Sequence, residues 1–205
     1  AEVMATNIRW LCTWFVFALV LGTAGCGTSV KRMDAEEVKD LSGAWNDTDS
    51  RLVSEEMIKD ALARTWLREY MRKHRQEPAV IVGDMRNLSH EHINMHTFVA
   101  DIERAMINSG KVRFVASSTE RVSVREERRD QDLHAREATR NPMGQELGAD
   151  FMLQGTINTI IDVEGATQVR YYQIDMTLID LADNEKVWIG QKKIKKLVKR
   201  SQLRY

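Results

Sequence analysis

The chain has 205 residues, and its 30 Lys and Arg exactly offset its 30 Asp and Glu, so the formal charge at neutral pH is zero. The charge is unevenly spread: Lys186 to Tyr205 holds eight basic residues and no acidic one, which leaves a net −8 on the remainder. Such a basic end could meet an anionic surface, or it could be a solvated edge strand and tail whose lysines block edge pairing. Neither an internal repeat nor a low-complexity block interrupts the chain.

Trp10 to Leu21 reads WLCTWFVFALVL, an uncharged apolar run behind Arg9. It is shorter than the roughly 20 residues needed to span a bilayer, and it has the length of a secretory h-region. Small residues, Gly22 to Gly25, lead into Cys26. This resembles a bacterial lipobox, with Thr23 where the pattern prefers leucine. The resemblance implies a signal peptide over 1–25, acylation of Cys26 and, with Gly27 rather than aspartate next, the inner leaflet of the outer membrane. The alternative is a plain export signal or single anchor with an incidental cysteine. Glu2 ahead of the single arginine is unusual in an export signal and points to Met4 as the start. If Cys12 leaves with the signal and Cys26 carries lipid, neither is left for thiol catalysis, a disulfide or a cysteine zinc site. Nucleic acid is excluded as the target of an exported chain.

Residues 26–44 read as the lipidated cysteine and a short polar linker, and 45–205 as one globular domain with a basic tail. The 17 residues Gly27 to Gly43 reach roughly 60 Å when fully stretched. From Ser50 onward, Val53, Met57, Ala61, Leu62, Thr65 and Trp66 recur at spacings of three and four, predicting one face of a helix to about Met71. Gln76-Glu77-Pro78 breaks the chain before a buried strand, Ala79 to Met85. Thr97, or Asn94, can cap a second helix with Phe98, Ile102, Ala105 and Met106 on one side, and Gly110 suits a left-handed C-terminal cap. Lys111 to Ala116 predicts a strand, Ser118 to Glu137 a solvated helix, and Asn141 to Leu147 a short helix. Three strands follow: Asp150 to Ile161, Val169 to Leu181 and Lys186 to Lys196. In the middle one Tyr171, Gln173, Asp175 and Thr177 alternate with Tyr172, Ile174, Met176 and Leu178, giving a polar and a packing face. The expected class is α+β, open α/β-like: a mixed sheet of about five strands flanked by helices, in the order α-β-α-β-α-β-β-β. About 160 residues suffice for one core.

Three constellations carry the question of chemistry. Asp47 and Asp49 imitate the first ligands of a calcium loop, but the sixth and twelfth positions hold Leu52 and Ile58 in place of glycine and glutamate, so a helix start capped by Asp49 or Ser50 is expected instead. Trp45 then folds back onto the core. His90, His92 and His96 have a spacing that could supply zinc ligands, set against a polar connection between strand and helix. No nucleophile elbow, phosphate-binding glycine loop or H-E-x-x-H is present. Glu55-Glu56 and Glu126-Glu127 are neighbours that diverge on a helix rather than facing pairs. No metal, cofactor or catalytic residue is expected.

Several stretches carry a family resemblance: Gly43 to Val53 (GAWNDTDSRLV), Glu55 to Ile58, Val80 to Gly83, Arg86-Asn87, Ile107 to Ser117, Gly148 to Asn158 and Glu185 to Gly190. Together they resemble the LpoB-type lipoproteins, activators of penicillin-binding proteins. The resemblance implies a non-catalytic outer-membrane lipoprotein that binds and stimulates a bifunctional class A penicillin-binding protein, in reach of the peptidoglycan. It places no partner-contact residue on this sequence. The alternative is an assembly lipoprotein forming an oligomer or scaffold, resembling curli-secretion or Tol-type periplasmic domains. Its subunit contacts would be the Arg/Glu helix and the lysine-rich last strand.

Overall fold

A computed structural model describes residues 29–34 and 37–199. The apolar run, Cys26 and the last six residues lie outside the described residues. The chain divides into two units, 1–37 and 38–205. In the first, the described residues have no helix or strand, and Glu37 N–H donates to the Asp34 carbonyl.

The second unit opens with α1 (Asp47–Ala63) and α2 (Thr65–His74). The helix expected to run unbroken to Met71 is interrupted at Arg64, whose backbone is extended (φ −81°, ψ 167°). The Trp66 indole N–H takes the Ala61 carbonyl at 2.8 Å, an acceptor that a continuous helix would give to the Thr65 amide. The break turns Trp66 and Tyr70 onto Phe151, with ring centroids 4.9 and 5.4 Å away.

Next come β1 (Ala79–Leu88), α3 (Met95–Asn108), β2 (Arg113–Phe114) and α4 (Ser118–His134). Asn94 caps α3, accepting from the His96 amide at 3.1 Å, and Thr97 sits inside the first turn. Gly110 does take a left-handed conformation beyond the helix end (φ 61°). The strand expected over 111–116 shrinks to two residues. α4 has no buried residue, and Ser117 and Glu120 close a capping box at its start. The short helix expected over 141–147 is absent: Gly144 is left-handed there (φ 81°), and Glu146 is drawn to arginines of α4.

β3 (Phe151–Glu164), β4 (Thr167–Asp180) and β5 (Lys186–Lys199) form an antiparallel meander. The sheet order is β2-β1-β3-β4-β5, with β1 parallel to both β2 and β3. The fold is therefore α+β, with a five-stranded mixed sheet. The alternation in β4 holds: Tyr172, Ile174, Met176 and Leu178 are fully buried against the helices. Val53, Met57, Ile58, Phe98, Ile102 and Met106 complete that core from α1 and α3. Each such side chain contributes on the order of 1.5–3 kcal/mol by leaving water. Among the described residues no helix packs on the other face of β3 to β5, where polar side chains such as Gln173, Asp175 and Lys193 stand beside the exposed apolar Ile160, Ile189 and Leu197. No helix among the described residues is long and apolar enough to cross a membrane.

Candidate functional site

The junction where the N-terminal arm meets the domain is built on the polar run after Trp45. Asn46, not Asp49 or Ser50, is the N-cap of α1. Its side chain accepts from the Asp49 amide at 3.0 Å, and the Asp49 carboxylate accepts from the Asn46 amide at 3.0 Å. The side chains of Asn46 and Asp49 thus serve the orphan donors of a helix end. Asp47 is exposed, and the Ser50 hydroxyl donates to Asp101 at 3.0 Å. The Trp45 ring packs edge-on against Phe98 and Tyr172, at 5.9 and 5.6 Å.

Two ion-paired networks fasten this arm to the sheet. Glu91, in the loop after β1, accepts from the Trp45 amide at 3.0 Å, from Arg170 Nη1 at 2.8 Å and from the Tyr172 hydroxyl at 2.8 Å. Burial, followed by the bond to Glu91, pushes the Tyr172 phenol well above its ordinary value. On β5, Lys196 Nζ donates to Asp49 at 2.5 Å, to Asp40 at 2.8 Å and to the Ala44 carbonyl at 3.1 Å. Burial raises the Asp49 carboxyl above the usual range, and the Lys196 bond opposes that rise. A buried charge pair of this kind is worth most as a fixer of geometry, since desolvation consumes much of its attraction.

The three histidines weighed as zinc ligands do not converge. His90 Nδ1 lies 3.0 Å from Thr159 Oγ1, which also accepts from the His90 amide, and His92 and His96 are exposed elsewhere. Among the described residues, no three His, Cys, Asp or Glu side chains are placed to hold a metal ion. The paired carboxylates separate too: Glu55 meets Arg51, Glu56 meets Lys192, and Glu127 accepts from Gln131.

An open cleft of about 570 Å³ lies between β1, α3 and the start of α4, lined by Met85, Met95, Val99 and Glu103. Burial raises the Glu103 carboxyl. Glu120, also at its rim, is lowered by the bonds from Ser117. Beyond β2, Arg121, Arg125 and Arg128 all reach Glu146 and pin the 135–150 segment to α4.

Sequence reasoning missed Glu91, Arg170 and Lys196. A lysine at a sheet position that alternation assigns to the buried face was the available signal for Lys196; Glu91 sits in an irregular loop and left none.

A model of the family described as peptidoglycan-synthase activator LpoB matches residues 49–194, well over half of the chain. A search of curated proteins found no match. Among solved structures, the chain is similar to the LpoB C-terminal domain from Salmonella enterica at 12% identity, covering 72% of this chain and 99% of that one, with a TM-score of 0.42. The LpoB C-terminal domain from Escherichia coli matches at 13% identity, with the same coverage and TM-score. Lipoprotein GNA1162 from Neisseria meningitidis matches at 17% identity over 62% of this chain and 88% of that one, with a TM-score of 0.40. On the extent of the family match, the chain belongs to the LpoB family of peptidoglycan-synthase activators.

Proposed function

We propose that this protein is a non-catalytic, lipid-anchored lipoprotein on the periplasmic face of the outer membrane, and that it binds and stimulates a bifunctional class A penicillin-binding protein. The observation that carries this is the family match, which runs from Asp49 in the first turn of α1 to Ile194 in β5 and so takes in β1 to β4, most of β5 and nearly all of the helices. The domain's geometry supports a binding role. Its strongest buried charges are committed to holding the arm, while broad surfaces stay open.

Stimulation requires that the domain bind the active conformation of the synthase more tightly than the inactive one, since a ligand shifts an equilibrium only by its differential affinity. A tenfold rise in the active population takes about 1.4 kcal/mol of such preference. The anchor would be Cys26, and acylation there would hold the domain within the reach of the residues that precede Trp45.

The test is a pull-down of the organism's class A synthases with the full chain, followed by glycan-polymerisation and cross-linking assays. Binding with stimulation is expected; neither binding nor stimulation rejects the activator role. For the anchor, Cys26→Ser should release a folded protein from the membrane fraction. Retention there would show that the lipidation assignment is wrong.

A further inference from the structure

The two edges of the sheet are finished differently. β2 is two residues long, and short edge strands of that sort offer little to a partner. β5 is fourteen residues long and contains no proline, and from Trp188 to Lys199 it runs in unbroken register with β4. It pairs with β4 alone, so on its outer side the backbone N–H and C=O groups have no backbone partner among the described residues. A long, regular, unpaired edge is a template for another strand.

The lysines of β5 divide by face. Lys192 and Lys196 point to the helix-covered side and are paired with Glu56 and with Asp40 and Asp49. Lys193, Lys195 and Lys199 point to the open side, in line with Gln173, Tyr171 and Thr167 of β4. All three are exposed, and none is ion-paired with a described residue. The nearest strand carboxylate on that face, Asp175, is occupied by the amides of Gln173 and Gln191 at 2.8 Å each. Asp162 and Glu164 stand in the rows of Leu197 and Lys199 but two strands away, roughly 9–10 Å. The result is a line of uncompensated cations spanning about 20 Å, lying beside an open row of backbone groups.

Charge selects the occupant. A second copy of this chain pairing through the same edge would set lysine against lysine, and like charges directly opposed across strands are destabilising. An extended acidic segment would satisfy the backbone and the cations together. We infer that β5 is the surface that takes the synthase: an acidic, extended segment of the synthase's periplasmic part adds to the sheet as a sixth strand, with carboxylates at alternate positions over Lys193, Lys195 and Lys199. This rests on a class A synthase being the partner. Backbone bonds supply affinity in strand addition, and the alternating side chains supply choice of partner. The lysines also raise the association rate, in a manner that salt weakens.

The experiment compares three full-length chains for synthase binding and stimulation: the wild type, Lys193→Glu with Lys195→Glu and Lys199→Glu, and a control with the same charge change on the helices, Lys59→Glu with Arg68→Glu and Lys73→Glu. Circular dichroism checks folding, and hydrogen exchange follows the β5 amides. The expected result is at least tenfold weaker binding for the β5 triple only, with β5 amides protected in the wild-type complex. If the wild type stimulates and the β5 triple does so equally, the docking edge is wrong while the activator role stands. Weakened binding without protection of β5 overturns strand addition. A wild type that binds no synthase removes the activator role, and this inference with it.

Discussion

Glu91→Ala tests the idea that one loop carboxylate fastens the arm to the sheet. The substitution deletes the acceptor of three hydrogen bonds and leaves the Arg170 guanidinium, the Tyr172 hydroxyl and the Trp45 amide to find others. Arg170 starts badly placed, because its Nε is already buried without a partner. Removing one member of a fully buried pair costs about 3–5 kcal/mol. Here both side chains are 15% exposed, so water can enter and relieve part of that. The expected loss is about 2–4 kcal/mol, which for a domain of this size lowers the melting temperature by roughly 5–15 °C. Glu91→Gln keeps the shape and an acceptor but loses the charge, and should fall between the two, at about 1–2 kcal/mol. Urea unfolding followed by tryptophan fluorescence measures both, with the m-value unchanged if the folded state stays compact. A loss below about 0.5 kcal/mol for the alanine variant would refute the reasoning, because only a surface contact is worth so little.

Three more predictions follow from the same geometry. Asn46→Ala should cost about 1 kcal/mol by removing the capping box, whereas Asp47→Ala, exposed beside it, should stay within about 0.5 kcal/mol; thermal melts of the two variants decide whether the cap has been placed correctly. Gly190→Ala would put its methyl 2.1 Å from the Trp188 ring, so the indole must leave its bond to Asp60, and a loss of about 3 kcal/mol with a shifted tryptophan emission is expected. Asp60 is held below the ordinary carboxylate range, first by the Trp188 indole and then by Arg64. A folded-state value lower than the unfolded one gives stability that is present above about pH 4 and lost as pH falls through the folded value. Since Asp60 is 41% exposed, Asp60→Asn should flatten the acid limb of a stability–pH curve by no more than about 1 kcal/mol, and an unchanged limb would show that the bond to Trp188 does not persist in solution.

Much of the fold is written in local pattern. The two-residue alternation of β4 fixes which side chains meet the helices, and the spacing of Val53, Met57 and Ala61 fixes the inner side of α1, because side-chain direction follows backbone geometry alone. Glycine at 110 marks a left-handed helix exit for the same reason. The polar run 46–50 was legible as a helix start, though not which residue caps it, since Asn46, Asp49 and Ser50 all offer acceptors. Only the tertiary structure decided that Asn46 is the cap and Asp49 its reciprocal partner, with the Asp49 carboxylate shared with Lys196 from the far end of the domain. The break at Arg64 was decided in the same way, because the competition for the Ala61 carbonyl is won by an indole that needs Phe151 beneath it. Glu91 with Arg170, and the three arginines around Glu146, are meetings of residues far apart in the chain, on which periodicity is silent. The basic count near the C-terminus came from composition; that three of those lysines lie unpaired along an open edge is a matter of strand order and register, which arise only when β4 and β5 pair.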